Sequence, residues 1–191
     1  MILEEKKIVL KNGISAVLKT PETHEAEKLL NCIKTICGET KYLARYKEDW
    51  DNVTVESEEK WIQSNRDSER SLVIACYIDG EIVGNCDISF KNGSKTFHRA
   101  VIGIAIREKC WNLGIGTAMF KELLKAAKEH KETEFVELEY MQGNDRGKAL
   151  YEKFGFREIH VTPKACKLKD GSYLNLVYMQ KEITQGENHN D

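Results

Sequence analysis

The stretch Val101–Met119, VIGIAIREKCWNLGIGTAM, limits the possible folds more than any other part of this chain, because an apolar strand runs through a short polar turn into a glycine-bearing helix start. Val101, Ile102, Ile104 and Ile106 are β-branched and nearly uninterrupted by polar residues, which predicts a strand covered on both faces. From Gly114 the apolar residues Ile115, Met119, Leu123 and Ala126 recur at helical spacing, with Lys121, Glu122, Lys125 and Lys128 filling much of the rest. The first N–H groups of a helix have no partner within it and sit at the positive end of its dipole. An anion satisfies both conditions, and Gly114 and Gly116 let the backbone approach a phosphate closely. Tight helix–sheet packing is the alternative use of the same two glycines.

A second stretch agrees with the phosphate reading. Glu137–Phe156, ELEYMQGNDRGKALYEKFGF, reads as a strand, a loop in which Asn144 is suited to cap a helix, a short helix, and Gly155 where that helix stops. Together the two stretches resemble the GNAT family of N-acetyltransferases. The family's cofactor motif Q/R-x-x-G-x-G/A falls on Trp111–Gly116, and its N-x-x-A-x-x-L-Y-E-K-x-G-F pattern falls on Asn144–Phe156. With flanking strands the resemblance covers about residues 70 to 182, and a weaker likeness extends to the amino-terminal part. Three positions depart from the pattern: Trp111 replaces Gln or Arg, Asn112 replaces a common Gly, and Gly147 replaces Ala. The first puts an indole in the phosphate loop, and a glycine within a helix costs about 1 kcal/mol against alanine.

The resemblance implies an α/β (α+β) fold with a mixed, mainly antiparallel central sheet flanked by helices. Its central strands begin side by side and splay apart, and the pantetheine arm of acetyl-CoA inserts into the gap, pairing with strand N–H and C=O groups that would otherwise be buried and empty. It assigns cofactor contacts to Ile104 and Ile106 on the strand, to Trp111, Asn112, Leu113, Gly114, Ile115, Gly116 and Thr117 in the turn, and to Asn144. A backbone N–H near Ile106 would polarise the thioester carbonyl. Tyr151 would donate a proton to the leaving thiolate, and Glu139 would accept one from the amine. His98, or an ordered water, is the alternative base, while packing explains Tyr151 and solvation explains Glu139 if neither is catalytic. Lys109, Arg146 and Lys148 stand where phosphates would pass.

Other classes are opposed by composition. The 29 basic residues are dispersed among 31 acidic ones, for a net charge of −2, which argues against a nucleic-acid groove. Six cysteines show no C-x-x-C pair and no zinc spacing with histidine, so no metal is expected. Cys110, beside the loop, is where a helix N-terminus would lower a thiol pKa. No signal peptide or membrane-length apolar run is present, so a cytoplasmic location without membrane contact is expected.

Along the chain, Asn12-Gly13 predicts an opening hairpin over residues 5 to 19. A helix follows Pro21, with Thr20 as cap and Gly38 as stop, and then comes a segment carrying Tyr42, Tyr46 and Trp50, which forms an acceptor wall in the resembled family or else covers a core edge. Thr54 caps a second helix anchored by Trp61 and Ile62. Strands are predicted at 71–78, 81–90 and 134–141, with a last hairpin over 157–168 and 172–180. Residues 1–182 form one domain in this reading, and 183–191 a frayed polar tail. The implied activity is direct transfer of an acetyl group from acetyl-CoA to the primary amine of a small molecule or peptide. A non-catalytic acyl-CoA sensor is the alternative, and a homodimer is left open.

Overall fold

The structure, a computed structural model, describes residues 1–183. Turn chemistry builds its first half. Asn12-Gly13 joins β1 (Lys6–Val9) to β2 (Ser15–Lys19), and Asp79-Gly80 joins β3 (Ser71–Ile78) to β4 (Glu81–Phe90), with Gly13 at φ 84° and Gly80 at φ 79°. These left-handed positions favour glycine and close each hairpin. β5 (Arg99–Ile106) pairs antiparallel with β4 from Ala100 to Ile106, as a third meander strand.

The connections then become helical. α3 (Ile115–Glu129) follows β5, β6 (Phe135–Met141) returns parallel to it, and α4 (Asp145–Lys153) leads to the hairpin of β7 (Arg157–Lys167) and β8 (Tyr173–Glu182). One sheet of order β1-β2-β3-β4-β5-β6-β8-β7 results. Its inner position goes to β8, which buries Val177 and Met179, whereas β7 is exposed along nearly its whole length. α3 packs Met119, Phe120 and Leu123 on one face of the sheet, where Tyr151 of α4 joins the same core. α1 (Ala26–Glu39) and α2 (Val55–Asp67) cover the other face through Leu29, Ile36 and Ile62 against Ala75, Tyr77 and Ile82.

β5 and β6 pair only at Arg99↔Phe135, Ala100↔Val136 and Val101↔Glu137. Beyond Val101 their facing edges have no strand partner among the described residues, while β6 stays paired with β8 as far as Met141. The sheet therefore opens at the carboxyl end of β5.

Several expectations are corrected. β5 is not covered on both faces: Ala100 and Ile102 are buried, but Val101 is 39% exposed. The apolar contacts of α1 and α2 centre on β3 and the start of β4 and reach β5 only at Ala105, so Val101 at its start lies beyond them. Thr20 does not cap the first helix, since its hydroxyl accepts from the Leu3 N–H at 2.9 Å. A 3-10 turn at Thr23–Glu25 intervenes, with a capping box between Glu22 and Glu25, and α1 then runs one residue past Gly38. Thr54 does cap α2, accepting from the Ser57 N–H at 3.1 Å, but Trp61 is 40% exposed and Ile62 alone of that pair anchors the helix. Glu122, placed on the polar face of α3, is buried and paired with Lys6 at 2.6 Å. Ile183, expected to begin a frayed tail, is buried and donates to the Glu134 carbonyl at 2.7 Å; residues 184–191 lie outside the described ones. Among the described residues no helix is long and apolar enough to cross a membrane.

Candidate functional site

A cavity of about 370 Å³ lies where β5 leaves β6. Ile104, Ala105 and Ile106 form its strand wall, Trp111, Asn112, Gly114, Ile115, Gly116 and Thr117 its turn, and Asn144 and Tyr151 its far side. The structure thus gathers the residues from the two distant stretches. Leu113 is the exception: its side chain packs towards the core and its carbonyl accepts from the Lys11 N–H at 3.0 Å.

The geometry of the turn can accept an anion. Asn112 at φ 63° and Gly114 at φ 97° are both left-handed, a conformation that glycine and then asparagine adopt most readily, and alternation of this kind turns successive N–H groups inward. The first intrahelical bond of α3 runs from the Ala118 N–H to the Gly114 carbonyl at 3.0 Å, so the N–H groups of Ile115, Gly116 and Thr117 precede the ladder and face the cavity end. The two glycines differ in purpose. A Cβ on Gly114 would meet only Lys11 Cγ at 3.8 Å, so this glycine is needed for its dihedral and leaves open space. A Cβ on Gly116 would stand 3.0 Å from Leu150 Cδ2, so this one permits close packing of α3 on α4.

Trp111 does not simply remove a polar group from the loop. Its Nε1–H donates to the Ile106 carbonyl at 2.8 Å, pinning the turn to the end of β5, and the Arg146 guanidinium lies 3.2 Å from the centre of its ring. A cation from α4 is thereby held over the loop by a contact that only an aromatic residue supplies. Lys153 adds a second cation, its Nζ donating to Thr117 Oγ1 at 3.2 Å. Asn144 accepts from the Gly147 N–H at 3.1 Å as the cap of α4, and a Cβ on Gly147 would stand 2.7 Å from Asn144 Nδ2, which explains the glycine that replaces the usual alanine.

Tyr151 reaches the cavity from α4 but is buried against Phe120 and Tyr140. Burial pushes its phenol up to about 12, so it stays protonated with its proton free to be donated, and its hydroxyl has no hydrogen-bond partner among the described residues. Glu139 is exposed on β6 and does not line the cavity. His98 is packed edge-on to Phe135 beside the paired start of β5. Six residues separate it from Ile104, about 20 Å along a strand, which removes it from the site. Cys110 is buried, and burial raises its thiol instead of lowering it.

Tyr42 and Leu43, beyond the end of α1, also line the cavity, and Tyr42 lies against Gly143 in the β6–α4 turn, where a Cβ would stand 3.3 Å from the tyrosine hydroxyl. Tyr46 accepts from the Lys169 N–H at 3.0 Å, so the aromatic segment spans the mouth of the gap and reaches the β7–β8 hairpin. Of its three aromatics, Tyr42 faces the cavity, while Trp50 stacks on Arg45. No motif surrounds this segment, and only the aromatic cluster hinted at it.

The arrangement can hold a diphosphate at the start of α3 and an extended, amide-bearing arm along the open edge of β5. Residues 38–156, more than half of the chain, match the Acetyltransferase (GNAT) family. The L-amino acid N-acetyltransferase AaaT of Escherichia coli is 29% identical over 109 residues, covering 57% of this chain and 66% of that relative, just under two thirds of its length. A GNAT acetyltransferase from Streptococcus pneumoniae superposes with a TM-score of 0.83 at 20% identity, covering 88% of this chain and 99% of that one. The acetyltransferase YncA from Salmonella typhimurium, solved with its cofactor acetyl-CoA, superposes with a TM-score of 0.76 at 12% identity, covering 90% and 96%. Sequence match and architecture agree, and the chain belongs to the GNAT family of acetyltransferases.

Proposed function

We propose that the protein transfers the acetyl group of acetyl-CoA directly to the primary amine of a small molecule or peptide. The observation that carries this reading is one cavity joining the free N–H groups of α3 to the unpaired edge of β5. Those features fit the cofactor, because the open space at Gly114, with Arg146 and Lys153 nearby, suits a diphosphate. Peptide groups beyond Val101 suit the amides of a pantetheine arm. The bound thioester supplies an activated acetyl group.

The chain's own residues supply the rest. A strand N–H in the Ile104–Ile106 region is the donor for the thioester carbonyl, where negative charge develops during attack. The amine reaches this carbon from the side of the sheet covered by α1, α2 and the Tyr42 segment, with its nitrogen neutral and its lone pair free. Tyr151, kept protonated by burial, donates to the departing sulfur. Direct attack suits this site better than an acyl-enzyme, since Cys110, the cysteine lining the cavity, carries a thiol raised by burial.

Thiol release from acetyl-CoA, measured against pools of amino acids, polyamines, aminoglycosides and amino-terminal peptides with amine-free controls, tests the reading. Turnover that depends on one pool is the expected result. Protein that binds acetyl-CoA yet stays silent with every pool would leave the sensor alternative in its place.

A further inference from the structure

Two polar side chains on one face of the sheet have no partner among the described residues. Asn85 and Asp87 lie two residues apart on β4 and so project from the same face. Asn85 stands between Ala75 and Ala105 in the neighbouring strands, and Asp87 between Val73 and Gly103. Ala105 lines the cavity and packs against the α1–α2 cluster, which puts the pair on the side from which an acceptor would approach.

The Asp87 carboxylate has no hydrogen bond or ion pair with any described residue, and burial lifts its pKa to about 6. Asn85 Oδ1 is buried and has no hydrogen-bond partner among the described residues. Gly103 makes room for the acid: a Cβ there would stand 3.0 Å from Asp87 Oδ1. Asn85 Oδ1, buried without a donor, and the half-buried Asp87 carboxylate, partly desolvated and given no donor by the described residues, carry a desolvation cost that a donor-rich cation would relieve.

We infer that Asp87 and Asn85 form the subsite for the ammonium group of the acceptor, an inference that rests on the acetyl-transfer reading above. A primary ammonium has a positive charge and three N–H donors, enough to satisfy the carboxylate and the amide oxygen together. An alcohol offers one donor and no charge, and a carboxylate would be repelled. Bound there, the ammonium lies beside Gly103, one residue from Ile104 in the cavity wall. Asp87 can then take one of its protons: an N–H bond breaks, the carboxylate becomes a carboxylic acid, and the nitrogen keeps its lone pair for attack. Glu139 lies on the same face across the gap, but it is exposed and carries no comparable desolvation.

The test titrates isotope-labelled protein, saturated with coenzyme A, with n-butylammonium chloride and separately with 1-pentanol, its uncharged counterpart of similar size. Butylammonium should shift the NMR signals of the Asn85 side-chain amide and the Gly103 backbone amide, pentanol should not, and Asp87→Asn should remove the effect. Shifts centred elsewhere, or retained in Asp87→Asn, overturn the subsite. With the best amine of the turnover panel, Asp87→Asn should raise the amine KM at least about 10-fold, leave the acetyl-CoA Kd within about 2-fold, and be partly rescued by Asp87→Glu. An unchanged KM also overturns it and leaves the transfer reading intact. If no amine is turned over while Asp87-dependent ammonium shifts persist, the subsite stands and the transfer reading fails.

Discussion

The two ends of β5 treat buried charge in opposite ways. At the paired end, Glu137 is buried yet fully engaged: it accepts from Lys91 Nζ at 2.9 Å and from Arg99 Nε, and Arg99 Nη2 donates to the Tyr178 hydroxyl at 2.7 Å. That cluster ties β5, β6 and β8 where they are hydrogen-bonded. At the open end of the same face, Asp87 and Asn85 have no partner among the described residues and adjoin the cavity through Ala105, the neighbour of Asn85 on β5. The sheet therefore has the means to neutralise a buried carboxylate and does so at one end only. Where partners are supplied, the charge holds strands together, and where they are withheld, it is available to a ligand.

Substitutions can break this contrast from either side. The largest effect is expected at the open end from Gly114→Glu, which forces a side chain into φ 97° and aims a negative charge at the α3 N–H groups. Acetyl-CoA affinity by calorimetry should fall at least about 100-fold in protein with an unchanged circular dichroism spectrum, and retained affinity would remove the diphosphate assignment. Next, Tyr151→Phe should lower turnover about 10- to 100-fold with cofactor Kd and melting temperature nearly unchanged, because the hydroxyl has no partner among the described residues. Equal turnover would make Tyr151 a packing residue.

The paired end should respond in stability and not in chemistry. Glu137→Ala strands Arg99 and Lys91, and urea unfolding should show a loss of about 1–3 kcal/mol while the amine KM stays within about 2-fold. An amine KM that rose with it would extend the acceptor site to this cluster. Asp87→Asn should change stability least and in the opposite direction, with a gain of about 1 kcal/mol at pH 7. The sign follows from its pKa of about 6 in the folded protein against about 3.9 for a free side chain, which makes the native state bind the proton more tightly. Wild-type stability should rise as pH falls from about 6 to about 4 and be flat above, and the asparagine variant should lack that slope. A variant that is more stable yet poorer at capturing the amine would separate the two ends of β5 most sharply.

Much of the site was legible because its signals are local. A left-handed turn needs glycine or asparagine near Gly114, and a helix cap needs a side chain like that of Asn144, so both stretches carry their geometry in adjacent residues. The same locality explains the strands at 71–78 and 81–90, whose bounds the structure reproduces around Asp79-Gly80. Trp111 was misleading when considered alone. Its effect depends on Arg146, 35 positions later in the numbering, and on the carbonyl of Ile106. Asp87 and Asn85 escaped notice because a strand with polar residues at alternate positions normally shows them to water, and nothing within β4 says which neighbours cover or neglect them. Glu139 had the better motif position and an exposed environment, while His98 had a suitable side chain at the wrong end of its strand.

By itself the sequence determined the strand–turn–helix at Val101–Met119, the capped α4, the hairpin turns and the family pattern, all set by dihedral preference and hydrogen bonding within a few residues. Tertiary structure alone decided that β5 and β6 part after Val101, that β8 lies inside β7, and that Glu137 finds partners while Asp87 finds none among the described residues. Those outcomes depend on which distant surfaces meet and on which polar groups the meeting leaves without water or a partner, and that balance exists only once the chain is folded.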